Sequence, residues 1–282
     1  IRNVRPTFIK SALHIAYHNA TISLVNKGGC AHQRWYPREA CLSIPHSVLP
    51  RLLSPKAALI GGHTARDQMA APEFGGIFMS FWENTRKPAG FGGRIMVSIM
   101  NLGHHALARW GLQFLDAAAD ARVLDCGCGG GANIRALLKR YPQGIVKGLD
   151  YSTVSVEKAR KLNGAAVMTG RCALLQGSVT DMIFADDWFD LVTAFETVYF
   201  WPDLLQSFQE VHRVLKPGGM FLICNECGGN RAADEKWTER ISGMAIYRSA
   251  QLKAVLEQAG FCDIRSYQNK KDWLCVTARK HV

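Results

Sequence analysis

The sequence has no long apolar run. The stretch that comes nearest, Phe8 to Val25, is interrupted by Lys10, His14, His18 and Asn19, which excludes a membrane span and a clean signal-peptide core. No run of lysine and arginine reaches five, so a basic tail of the kind that grips nucleic acid is missing. Internal repeats and low-complexity tracts are absent too. The nine cysteines follow no framework spacing, which excludes a disulfide scaffold and fits a reducing cytoplasm. Charged residues make up only 20% of the chain against 48% hydrophobic, which excludes a disordered polymer. A chain of 282 residues with this composition can form one large α/β domain plus an extra segment.

The net charge of +11 raises the question of an acidic partner, but its distribution weakens that reading. Residues 1–78 carry a net +6 and residues 79–282 a net +5. The expectation is therefore a small-molecule substrate, without nucleic acid and without a membrane. The two parts also differ in character. Residues 1–78 have weak periodicity, five of the nine histidines and frequent Gly/Pro punctuation, and Met69 and Met79 each open a more ordinary stretch. Residues 1–78 are read as an extension of uncertain role and residues 79–282 as the functional domain, with a core over about 120–279. A chain starting at Met79 is expected to fold and bind cofactor.

From Arg94 to Asp116 apolar residues recur at three- and four-residue steps, a helical lead-in. Strand-like and helical runs then alternate. Strands are expected at Arg122–Cys126, Ile145–Asp150, Ala173–Gln176, Phe189–Phe195 and Met220–Asn225. Helices fall between them at Asn133–Tyr141, Thr153–Leu162 and Asp203–Leu215. About twenty residues, Cys227–Arg248, intervene without a clear pattern. Ser249 then reads as the N-cap of a helix Ala250–Ala259 closed by Gly260, and Cys262–Tyr267 and Trp273–Ala278 read as a final strand pair. This order implies a doubly wound α/β fold with a mainly parallel seven-stranded sheet and one antiparallel edge strand.

The densest chemical signal is Val123-Leu124-Asp125-Cys126-Gly127-Cys128-Gly129-Gly130-Gly131, a strand running into a glycine loop and a helix. Glycines let backbone turn tightly and approach a ligand, and the helix that follows presents free N–H groups. Asp150 ends the second strand, nineteen residues after Gly131, where a carboxylate can accept hydrogen bonds from both hydroxyls of a ribose. Loop and aspartate together point to an adenosine-containing cofactor. Gly127 to Ala132 also fits the dinucleotide pattern, so an NAD-dependent oxidoreductase is the competing reading. Against it, Asp125 would oppose a pyrophosphate but attract an ammonium, and the loop lies some 120 residues into the chain.

Residues from about 93 to 279 resemble class I, Rossmann-like S-adenosylmethionine-dependent methyltransferases, the small-molecule group in particular. Asp125–Gly131 is similar to their D-x-G-x-G-x-G motif. Gly148-Leu149-Asp150-Tyr151-Ser152 resembles the acidic end of their second strand and Phe189-Asp190-Leu191-Val192 their fourth. Glu210–Met220 resembles E-x-x-R-V-L-K-P-G-G. The resemblance implies S-adenosyl-L-methionine as cofactor. Gly127, Gly129 and Gly131 would shape its pocket, Asp125 would stand near its amino group and Asp150 would hold its ribose. Tyr151 would cover the adenine, with Ser178 and Val179 at its edge; many members carry Asp where this chain has Ser178. Phe195 and Glu196 would border the transfer site.

Methyl transfer from a sulfonium needs alignment and exclusion of water before it needs a base. Glu196 is the best candidate for a base, with Tyr199 and Glu226 behind it. Aromatics around the site, Phe78, Phe81, Trp82 and Phe91 before the domain and Tyr199, Phe200, Trp201, Trp237 and Tyr247 within it, with Met244 among them, would suit an apolar acceptor. The alternatives are an RNA or protein acceptor, or a scaffold that binds cofactor without turnover. The pairs Cys126/Cys128 and Cys224/Cys227 raise a metal, but two strand spacings of about 4.8 Å separate them, so no metal centre is expected. His104-His105 reads as a polar helix face.

Overall fold

The computed structural model of the chain describes residues 105–282. The expected extension over 1–78, the aromatics Phe78, Phe81, Trp82 and Phe91, and the first part of the Arg94–Asp116 helix lie outside those residues. The described part begins with α1 (His105–Leu112) and continues β1 (Arg122–Cys126), α2 (Ala132–Arg140), β2 (Ile145–Asp150), α3 (Thr153–Leu162), α4 (Gly164–Met168) and β3 (Cys172–Gln176). There follow β4 (Phe189–Phe195), a single 3-10 turn Val198–Phe200, α5 (Leu204–Val214), β5 (Leu215–Asn225), α6 (Ala232–Arg240), α7 (Ser249–Gln258), β6 (Phe261–Gln268) and β7 (Leu274–Lys280).

The strands form one seven-stranded sheet in the order β3-β2-β1-β4-β5-β7-β6. The five strands from β3 to β5 in that order pair in parallel, and β7 enters antiparallel between β5 and β6. Strand residues alternate between two apolar layers because successive side chains point to opposite faces. Leu124, Val192 and Phe221 pack against Phe208 and Val211 of α5 and Leu252 of α7. Val123, Leu191 and Leu222 pack on the other face against Leu107 of α1, Leu137 of α2 and Val156 of α3. Burial on both faces explains why the central strands read as continuous apolar runs.

Three local devices set the element ends. Ser152 and Asp203 cap α3 and α5 by accepting from the backbone N–H of Ser155 and Gln206. The N-cap of α7 is Arg248 rather than Ser249: its backbone N–H donates to Gln251 Oε1 at 2.9 Å, and Ser249 is already helical. The Lys216-Pro217-Gly218-Gly219 stretch is a bulge inside β5 rather than a turn before it. Leu215 pairs with Phe189 and Met220 with Leu191, so the extra residues loop out where Gly218 supplies a φ of 77°.

The E-x-x-R part of that motif is a brace. Arg213 donates to Glu210 and to the backbone carbonyls of Met182 and Phe184 at 2.8 to 2.9 Å, while Glu210 accepts from the Met182 N–H at 2.9 Å. This ties α5 to the segment entering β4. Helix α6 was not expected. It offers only Trp237, with Ile241 just past its end, to a small cluster with Tyr199 and Cys227, too little apolar stripe to read from sequence.

Candidate active site

The strand order reverses between β1 and β4, and a crevice opens there at the carboxyl edge of the sheet. A cavity of about 770 Å³ occupies it, within the usual range of small-molecule sites of about 300–1,000 Å³. Its wall passes from Asp150, Tyr151, Ser178 and Val179, across Gly127 and Gly129, to Phe195 and Glu196.

The loop after β1 takes its shape from glycine. Gly127, Gly129 and Gly131 have φ of 73°, 51° and 82°, in the left-handed region that side chains resist. Two of the three also allow close packing. A Cβ on Gly127 would lie 2.3 Å from Thr197 Cγ2, and one on Gly131 would lie 2.6 Å from Asn163 Nδ2 and 2.8 Å from Ala159 Cα. A Cβ on Gly129 would meet nothing within 4 Å, because that position faces open cavity.

Asp150 is locked in place by this loop. Its Oδ2 accepts from the Gly129 N–H and its Oδ1 from the Ser152 N–H, both at 2.9 Å. Each oxygen keeps lone pairs for a ligand, so the carboxylate can accept two further hydrogen bonds from neighbouring hydroxyls. Burial raises its proton affinity above the ordinary carboxylate value, and the two backbone N–H groups pull it back.

Asp125 lies beneath the loop, off the cavity wall. Its Oδ1 accepts from Thr193 Oγ1 at 2.7 Å, and its buried Oδ2 has no hydrogen-bond partner among the described residues. Desolvation pushes its pKa up to about 7, the Thr193 hydroxyl lowering it and Asp150 adding to the rise. A buried carboxyl with an orphaned oxygen is matched to a cationic donor and mismatched to a pyrophosphate. Open space over Gly129, paired acceptors on Asp150 and the orphaned oxygen of Asp125 all fit an adenosyl amino acid.

At the other end Glu196 follows β4 with φ 61°, a strain on the order of 1–3 kcal/mol for a non-glycine. Its Oε1 accepts from the Tyr199 hydroxyl at 3.2 Å and from the Glu226 backbone N–H. Burial first, and Glu226 next, hold its proton well above the usual carboxylate range. Tyr199 does not line the cavity; it stands behind Glu196, its oxygen accepting from the Cys227 N–H at 2.8 Å. Glu226 is pushed up to about 7 by burial and likewise sits behind the wall. Phe195, Phe200 and Trp201 line this end, while Trp237 joins the cluster behind Tyr199.

Sequence reasoning missed some wall residues. His105 and Arg109, one turn apart on α1, face the cavity, and Arg109 meets the His105 ring at 3.3 Å. Thr197 also lies there: it packs on Gly127 and donates to the Cys126 carbonyl at 3.1 Å. Its one signal is that it follows Phe195-Glu196 directly. Among the described residues no group of three or more His, Cys, Asp or Glu side chains could hold a metal ion.

Fold and site define a Rossmann-like domain whose crevice accepts an adenosine-containing ligand. Residues 124–223 match the family described as the methyltransferase domain. The matched stretch runs from β1 into β5 and takes in the glycine loop, Asp150 and Glu196. It is 30% identical over 156 residues to 24-methylenesterol C-methyltransferase 2 of Oryza sativa subsp. japonica, covering 52% of this chain and 43% of that one. Among solved structures it is similar to the methyltransferase in complex with the Haloferax volcanii Trm112 activator. That likeness has a TM-score of 0.60 and 24% identity, over 67% of this chain and 94% of that chain. It is also similar to Haemonchus contortus phosphoethanolamine N-methyltransferase 2, solved with phosphomonomethylethanolamine and S-adenosylhomocysteine. There the TM-score is 0.60 and the identity 16%, over 73% and 60% of the two chains. The chain spans less than half the length of the first curated relatives it matches.

Proposed function

We propose that the chain moves a methyl group from S-adenosylmethionine to a small, partly apolar acceptor. The observation that carries this reading is the continuity of one cavity from the Asp150 carboxylate to Glu196 and the aromatic side chains of Phe195, Phe200 and Trp201. The cofactor supplies a methyl group on a positively charged sulfur, a leaving group already activated for in-line displacement. The protein's share is to hold and align. In this reading Asp150 holds the ribose hydroxyls, Asp125 stands near the amino group from beneath the loop, and Gly127, Gly129 and Gly131 keep side chains out of the way. Tyr151, Ser178 and Val179 border the adenine.

Glu196 and Tyr199 are the pair assigned to the acceptor, Glu196 touching it and Tyr199 positioning Glu196. Helix α1 and the turn carrying Phe200 and Trp201 keep water from that end. The sterol C-methyltransferases among the relatives support a small apolar acceptor. No described helix is long and apolar enough to cross a membrane. The proposal keeps the catalytic domain at residues 79–282 and places the protein in the cytoplasm, which suits seven free cysteines among the described residues.

The test is turnover of methyl-labelled S-adenosylmethionine with a panel of small apolar alcohols, phenols, ketones and alkenes. Label transferred to one class supports the reading. Tight cofactor binding without transfer to any member, and without slow cofactor hydrolysis, would make the domain a scaffold.

A further inference from the structure

Glu196 breaks the pattern of the sheet edge around it. It is a non-glycine held in left-handed backbone, 8% exposed, on the wall of the cavity. Its main chain is pinned by an N–H that donates to the Cys224 carbonyl at 2.9 Å. Among the described residues no Lys, Arg or His makes an ion pair with it. The titratable groups that face it are Glu226, Tyr199, Cys224 and Cys227, none of them a cation. Arg231 and Lys271 act on Glu226 instead. Burial and the neighbouring Glu226 carboxyl favour the protonated form and outweigh the two hydrogen bonds from the Glu226 N–H and Tyr199, and no cation among the described residues pairs with Glu196 to oppose them.

The hydrogen bonds decide which oxygen carries that proton. Both fixed donors, the Tyr199 hydroxyl and the Glu226 N–H, reach Oε1. The Tyr199 oxygen is itself occupied by the Cys227 N–H, which orients its O–H toward Glu196. Oε1 is thus an acceptor already served twice. Oε2 receives no hydrogen bond from the described residues, and it is the oxygen left for the proton.

We propose that Glu196 presents an Oε2–H donor to the cavity, and that the acceptor carries a carbonyl or similarly exposed lone-pair oxygen that receives it. This deepens the methyl-transfer reading and rests on it: Glu196 then selects and orients the acceptor and takes no proton from it. An analogue lacking the oxygen leaves a buried donor unpaired, which is the strongest way a site of this kind rejects a ligand.

Two measurements on the full chain test this, with Glu196→Gln and Glu196→Ala beside wild type. The first is infrared difference spectroscopy of wild type against Glu196→Gln at pH 7. A protonated-carboxyl band present only in wild type is expected; its absence overturns the proposal. The second is ligand-observed NMR with 1-indanone and indane, whose rings differ only by the oxygen, in saturating S-adenosylhomocysteine. Wild type and Glu196→Gln, whose amide also donates, should prefer the ketone at least tenfold, and Glu196→Ala should lose the preference. No ketone binding, equal binding of the two, or a preference lost in Glu196→Gln overturns it. Binding of S-adenosylhomocysteine by the same samples checks the other reading separately: its absence with the infrared band intact removes the methyl-transfer reading and leaves the donor.

Discussion

At the scale of single residues, Asp125 makes the sharpest forecast. Its folded pKa of about 7 lies above the roughly 4 of an unfolded carboxyl, so the folded state binds an extra proton between those values. The ligand-free protein therefore holds full stability from this group below about pH 4 and loses it as pH rises through about 7. Thermal unfolding of wild type and Asp125→Asn should show wild type losing stability relative to the variant between pH 5 and pH 8. The size should be a few kcal/mol in order of magnitude. Parallel curves for the two proteins would contradict the assignment. Binding of S-adenosylhomocysteine, which carries an ammonium, should tighten over the same interval in wild type and not in the variant.

Two glycines of one loop should behave differently. Gly129→Ala places its Cβ in open cavity, so it should cost only the left-handed strain of roughly 1–2 kcal/mol yet weaken cofactor binding tenfold or more. Gly131→Ala drives its Cβ into Ala159 and Asn163. It should destabilise the fold by roughly 1–3 kcal/mol beyond that strain. Unfolding curves and a binding titration on each variant check both; a Gly129→Ala protein that binds as wild type does would mean the cofactor lies elsewhere.

Among the elements, Arg213 tests whether the E-x-x-R segment is structural. Replacing it by alanine strips hydrogen bonds from Glu210 and from the Met182 and Phe184 carbonyls. A loss of about 1–3 kcal/mol in denaturant unfolding is expected, with cofactor affinity of the folded protein unchanged. The elements that carry such braces and continuous apolar strands were the legible ones. β1, β2 and β4, each running into a loop of glycines or acids, stand where the sequence placed them. What stayed hidden depends on partners distant in sequence. Helix α6 has almost no apolar stripe and owes its packing to Tyr199 and Cys227. The α7 cap moved because Gln251 reaches Arg248, and no single residue announces that pairing. His105 read as a polar helix face, because nothing local says that α1 lies beside the cavity.

For the whole molecule, a doubly wound sheet gathers residues more than seventy positions apart at one edge. The strand ends that carry Asp125, Asp150 and Glu196 come to that edge because β1 sits between β2 and β4. The half of the crevice lined by the glycine loop and Asp150 was readable as part of a cavity wall, since those residue types are dictated by backbone conformation and charge. The half around Glu196 was not: its wall combines α1 with the residues after β4, and only the fold brings them together. The central claim, that this crevice binds an adenosyl amino acid through Asp150, is tested most directly by calorimetric titration with S-adenosylhomocysteine. NADH serves as control, and Asp150→Ala is titrated alongside. Binding of S-adenosylhomocysteine but not NADH is predicted, weakened at least tenfold in the variant by the loss of charge-assisted hydrogen bonds. No binding to wild type, or a preference for NADH, would contradict it.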